Sequence, residues 1–161
     1  MSQMDARFFK PFVDATIKTL KVQCNTDITH EKPFIKGTKA QPDFDLAAVI
    51  ALTSNAFNGT ITLSFTKATF LGVMSGMLGE KYTEITAELE DGAAELLNII
   101  FGQAKLTLTE QGYSVEKAIP TVIRGAGLRT KIVSPQPVIV LPFATTSGVF
   151  EIEIVAEGKS I

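Results

Sequence analysis

Chemically versatile side chains are scarce in this chain: 161 residues contain one cysteine, one histidine and no tryptophan. Cys24 has no partner for an intramolecular disulfide, so nothing requires an oxidising compartment. His30 lies in a polar loop with no second His and no Cys at ligand spacing, which removes the usual zinc patterns. A Ser or Cys nucleophile would have only that loop histidine as its base. Neither a Walker A motif nor a GxGxxG fingerprint occurs. No segment concentrates Lys or Arg. A net charge of −2 and a pI near 5.4 leave no electrostatic footprint for nucleic acid or an anionic membrane. The longest uninterrupted apolar run, LAAVIAL (46–52), falls well short of the roughly 20 residues a bilayer-spanning helix needs. The opening MSQMDARFFKPF has no apolar signal-peptide core. A cytoplasmic protein is the expectation.

What is present suffices for one domain with a sizeable core. Residues 5–23 carry Phe8, Phe9, Phe12, Ala15, Ile17, Leu20 and Val22 at close to helical spacing, with Pro11 expected in the first turn. TDITHEKPFIKG holds a short strand, edge-like or irregular because of Pro33. DFDLAAVIALTS (43–54) and TITLSFTK (60–67) flank the turn-rich NAFNG and read as a hairpin. KATFLGVMSGMLG (67–79) is a helix stopped by Gly79, with Met74 and Met77 as core fillers. A long helix follows and ends at Gly112. Strands are expected at about 115–124, 137–144 and 148–155, the last two joined by TTSG. The fold class is α+β: an antiparallel sheet covered by helices, one domain over 1–161.

The long helix has an unusual polar side. At about 100° per residue, Asp91, Ala94, Glu95, Asn98, Gly102, Lys105 and Thr109 share one narrow sector. Leu89, Ala93, Leu96, Leu97, Ile99, Ile100, Phe101, Ala104, Leu106 and Leu108 occupy the rest. Such a helix is mostly buried, yet its exposed stripe carries a Glu, an Asn and a Gly rather than a run of Lys and Glu. Glu95 and Asn98 lie three apart, so one ligand can touch both. A Glu and an Asn on a helix surface are ordinarily just solvated. Gly102 is harder to dismiss: mid-helix it costs about 1 kcal/mol relative to Ala, which implies close packing or close approach of something.

Asp91-x3-Glu95-x2-Asn98, with Pro120 twenty-two positions after the Asn, resembles the active-site signature of the CheC/CheX/FliY phosphatases. KPFVDATIKTLK, FNGTITLSF, the helix ending MLGE, GQAK and AIPTVI extend the likeness to CheX over nearly the whole chain. The first helix, at Asp14-Ala15-Thr16-Ile17, has no Asn for a second copy of the motif, which favours the single-site CheX type over CheC. No extra domain of the FliY kind is read.

The resemblance implies a phosphatase acting on the aspartyl phosphate of the chemotaxis response regulator CheY. The regulator would hold Mg²⁺ and a Lys, leaving the helper to position an attacking water. Asn98 would orient that water, and Glu95 would pair with the regulator's Lys. Ala94 and Gly102 would be small to admit the partner. Asp91 matches the family's Asp/Ser position and could equally complement the helix N-terminus; Pro120 could simply set a strand's start. No cofactor or metal is expected in this chain. The resemblance also implies a homodimer joined sheet edge to sheet edge, with PVIVLPFA and VFEIEIV as candidate edges. A non-catalytic docking module for a receiver domain or flagellar-switch component is the rival reading. A small-molecule pocket has no support in the sequence.

Overall fold

A computed structural model describes residues 6–130 and 135–158. In chain order the elements are α1 (Ala6–Cys24), β1 (Thr29–His30), β2 (Phe34–Ile35), β3 (Phe44–Ser54), β4 (Phe57–Phe65), α2 (Lys67–Leu78), α3 (Ala87–Glu110), β5 (Val115–Lys117), β6 (Thr121–Leu128), β7 (Ile139–Thr145) and β8 (Gly148–Gly158). All eight strands join one antiparallel sheet in the order β1-β7-β8-β4-β3-β5, with β2 also on β7 and β6 also on β3. The α+β expectation holds, in a single domain.

Strict alternation builds the core. On β3, Leu46, Ala48, Ile50 and Leu52 face the helices, in register with Phe65, Leu63 and Ile61 of β4 and onward to Phe150, Ile152 and Ile154 of β8. All are buried. Against them lie Phe12 and Leu20 of α1, Phe70 and Met74 of α2, and Leu89, Leu96, Leu97 and Ile100 of α3. Both later helices begin on a threonine cap: the Leu89 N–H donates to Thr86 Oγ1, and the Thr69 N–H to Thr66 Oγ1. Gly79 ends α2 in the left-handed conformation, its N–H returning to the Ser75 carbonyl.

Three expectations need correction. Pro11 is the sixth described residue of α1, inside the helix rather than in its first turn. The helix starts early because Phe8 is buried edge-on against Phe57 and Tyr113, so packing outweighs the missing N–H. (Asp5, the expected first helical residue, lies outside the described residues.) The stretch 115–124 is not one strand but β5 and β6, broken at 118–120. Neither proposed dimer edge is free: β8 runs between β4 and β7, and β7 is paired with β8 on one side and β1 and β2 on the other. Among the described residues β6 is the longest edge strand, bonding only to β3 and largely exposed, while the short β1, β2 and β5 also pair on one side only.

The sheet's other face is polar and covered by the chain itself. Residues 36–43 cross from the β7 edge to the start of β3, over Glu151 and Glu153 of β8, which are buried. Lys36 Nζ lies 2.9 Å from Glu153 Oε1, and Gln41 Nε2 donates to both carboxylates at 2.7 and 2.9 Å. Burial pushes the Glu151 carboxyl up, and the Glu153 charge adds to the rise; the hydrogen bond from Gln41 and the charges of Lys36 and Lys39 oppose it. With a folded pKa above the unfolded value, Glu151 contributes stability that is present below about 4.5 and lost as pH rises through the folded pKa. Glu151→Gln should therefore match or exceed the wild type in stability at pH 7, and the advantage should shrink towards pH 4 in paired urea unfolding curves. An advantage that instead grows on acidification would reverse the sign.

Candidate functional site

Sequence periodicity and structure agree on the stripe of α3, with its apolar flank trimmed. Leu96, Leu97, Ile100 and Phe101 are buried, whereas Ile99 is half-buried and Leu106 is exposed. Asp91, Glu95 and Gly102 are exposed; Ala94, Asn98 and Lys105 are half-buried. Glu95 has no hydrogen bond or ion pair among the described residues, and neither does Asp91. Asn98 is different. Its Oδ1 is buried and has no hydrogen-bond partner among the described residues. An orphaned acceptor of this kind costs about 1–3 kcal/mol. The terminal amide turns about a soft torsion, so the same side chain can offer a donor or an acceptor with no movement of the helix.

Gly102 resolves one half of its puzzle. A methyl group there would meet nothing within 4 Å, so internal close packing does not explain it. The glycine of α3 that does serve packing is Gly92, where a Cβ would sit 2.6 Å from the Met74 sulfur.

Two ion pairs tie the stripe's flank to the edge strands. Arg124 Nε meets Glu90 Oε2 at 3.4 Å, and Arg124 also donates to the Ile85 carbonyl. Fifteen residues along the helix, Lys105 Nζ meets Glu116 Oε2 at 2.7 Å. That hydrogen bond and the Lys105 charge hold the Glu116 carboxyl below the usual range. At about 1.5 Å per residue the helical track between the ties is about 22 Å long. Between Glu116 and Arg124 run eight residue steps of about 3.3 Å, or about 26 Å. The excess is one residue. Lys117 pairs with Leu52 and Thr121 with Val49, so Ile50 and Ala51 on β3 face Ala118, Ile119 and Pro120. Two residues against three is a β-bulge. The half-buried Pro120 lies in the segment between the two ties, which bracket the stretch of α3 that carries Asn98. Sequence reasoning found both residues but missed the two ties and the bulge, because charge pairing across elements leaves no periodic signal.

Other chemistry is absent from this surface. Burial pushes the Cys24 thiol up to about 11, so it is no nucleophile at neutral pH. Among the described residues no three His, Cys, Asp or Glu side chains come together to hold a metal ion. No described helix is long and apolar enough to cross a membrane. A cavity of about 250 Å³ lies under the crossing segment, lined by Phe34, Lys39, Pro42, Pro142 and Glu151, away from α3.

Comparison with known proteins is concordant. The profile of the chemotaxis phosphatase CheX family matches residues 46–144, more than half of the chain and including the stripe and Pro120. A CheX chemotaxis protein of Desulfovibrio desulfuricans is 34% identical, with a TM-score of 0.85, covering 93% of this chain and 99% of that one. A CheC-like superfamily protein of Shewanella sp. PV-4 is 31% identical, with a TM-score of 0.90, over 96% and 100% of the two chains. CheX of Borrelia burgdorferi, crystallised with CheY, BeF3 and Mg²⁺, shares the fold at 23% identity and a TM-score of 0.77, over 96% and 99%. Among curated proteins, none matches.

Proposed function

The chain belongs to the chemotaxis phosphatase CheX family, and from that premise we propose that it dephosphorylates the aspartyl phosphate of a CheY-like response regulator through Glu95 and Asn98. The observation that carries this reading is the orphaned carboxamide of Asn98, half-buried three residues from an exposed, unpartnered carboxylate on a helix the core holds rigid. Water adds to phosphorus, the bond to the aspartyl oxygen breaks, and the regulator's carboxylate leaves as inorganic phosphate forms. A regulator already holding Mg²⁺ and a Lys lacks chiefly an oriented water. The Asn98 amide would hold that water in line, while Glu95 would anchor on the Lys. The cation belongs to the regulator in this scheme. The complex of the fold-alike Borrelia CheX with CheY supports the choice of partner.

The test is phosphoryl loss from a phosphorylated CheY-type regulator, followed with and without the protein. Acceleration that vanishes when EDTA removes Mg²⁺ is expected. No acceleration of any CheY-type regulator of the same organism would sink the reading, leaving the docking module, and activity tied to Zn²⁺ or Fe in this chain would overturn the division of labour.

A homodimer is part of the proposal, through β6 rather than β7 or β8. An exposed edge strand leaves backbone N–H and C=O groups unpaired, and a two-fold copy laid antiparallel along residues 121–128 would satisfy them. Light scattering should report a dimer at roughly tens of micromolar, where a standard interface is occupied. Monomer alone at that concentration counts against it.

A further inference from the structure

Resting on the reading above, we propose that Ile119 is an apolar anchor for the phosphorylated regulator, seated beside the Asn98 stripe by the bulge between β5 and β6. Ile119 is 88% exposed, the highest value among the exposed large apolar side chains of the described residues. It is also the middle residue of the three that face two on β3. A bulge at a sheet edge re-aims side chains, and here it turns an isoleucine out to solvent.

The display is rigid. The Ala118 N–H donates to the Ala51 carbonyl at 3.0 Å, and pairing resumes at Thr121. Pro120 confines the residue before it to extended backbone, and that residue is Ile119. The ties at Arg124–Glu90 and Lys105–Glu116 bracket the segment against α3 at both ends. A partner that brings its acyl phosphate to Asn98 docks over the span of α3 that these ties flank, and Ile119 stands out from the segment between them. The occupant is the receiver domain and not a second copy, because the two ties set the bulge along the span of α3 that carries the stripe, whereas the free edge of β6 begins beyond it at Thr121. Covering an exposed isoleucine on docking tightens binding by about tenfold or more.

Ile119→Ser tests this, with Ile119→Val as the conservative control. The probe is a CheY-type receiver domain of the same organism, activated by beryllofluoride for affinity and phosphorylated for turnover. Ile119→Ser should need about tenfold more receiver for half-saturation, with the rate at saturation and the melting temperature unchanged; Ile119→Val should stay near wild type. Unchanged affinity in Ile119→Ser, with wild type binding normally, overturns the anchor. So does conversion from dimer to monomer, which would assign Ile119 to the contact between copies. Wild type that binds the receiver without hydrolysing phosphate contradicts the phosphatase reading while the affinity comparison still decides Ile119. Wild type that does not bind defeats both.

Discussion

Asn98→Ala is expected to depress single-turnover dephosphorylation by about 10² or more, the scale of losing one preorganised polar group, about 2.7–4 kcal/mol. Receiver affinity should change little, since in the proposed scheme the amide would act on a water rather than on the partner. Stability should hold or rise, because the substitution deletes a buried acceptor that has no partner. A simultaneous loss of rate and gain in melting temperature is the pattern of a residue kept for function at the expense of the fold. Glu95→Ala supplies the contrast. Removing an exposed carboxylate that, in the proposed scheme, would pair with the regulator's Lys should weaken binding as well as rate, and leave the melting temperature unmoved. Rate, affinity and melting temperature for the three proteins separate the roles. Full activity in Asn98→Ala would remove the catalytic reading and leave a docking module; a large loss of stability in either variant would mean that the stripe faces the core.

Two helix glycines should respond oppositely to alanine. At Gly76 of α2 a Cβ would lie 2.0 Å from the Cys24 carbonyl oxygen and 3.0 Å from its carbon, with Thr26 Oγ1 at 3.3 Å. These first two atoms are backbone at the end of α1, held by the Thr26 hydroxyl donating to Cys24 O and by the Thr26 N–H donating to Leu20 O. They cannot swing aside as a side chain would. Gly76→Ala should force α2 from α1 and cost about 1–3 kcal/mol, or roughly 2–12 °C in melting temperature for a chain of this size. Gly102→Ala meets open space and removes the helix penalty of glycine, so it should stabilise by up to about 1 kcal/mol. If the receiver closes on this part of the stripe, the same change should impair turnover. Thermal unfolding of both variants decides the steric account, and a Gly76→Ala protein as stable as wild type would refute it.

Much of this was legible in the residues. The apolar run of DFDLAAVIALTS before the turn-rich NAFNG marked β3, the segment VFEIEIV after TTSG marked β8, and the 3.6 period of residues 87–110 marked α3 and put Glu95 and Asn98 on one face. Gly79 named its own cap. Local pattern did not reveal which strand lies centrally, because β7 and β8 look alike in sequence and only long-range pairing separates them. Nor did it reveal the break at 118–120: Thr121, Val122 and Ile123 are good strand formers and outweighed the warning of Pro120. Leu106 was assigned to the core by its type, but its direction on the helix points outwards, and 62% of it is exposed. The orphaned oxygen of Asn98 depends on a rotamer, which spacing does not encode.

The position of β8 bears on how the chain reaches this structure. The last strand in sequence is inserted between β4 and β7, each paired to it along much of its length. Until residues 148–158 are available, the sheet consists of β4 with β3, β5 and β6, one long side of β4 unsatisfied, and a detached β7 with β1 and β2. Folding as the chain emerges from the ribosome can complete the hairpin and the helices but not the middle of the sheet, whose closure must span the roughly ninety residues from β4 to β8. In that interval Ile61, Leu63 and Phe65 lack the strand that flanks them, which exposes the nascent protein to misassociation at its future centre rather than at its margin.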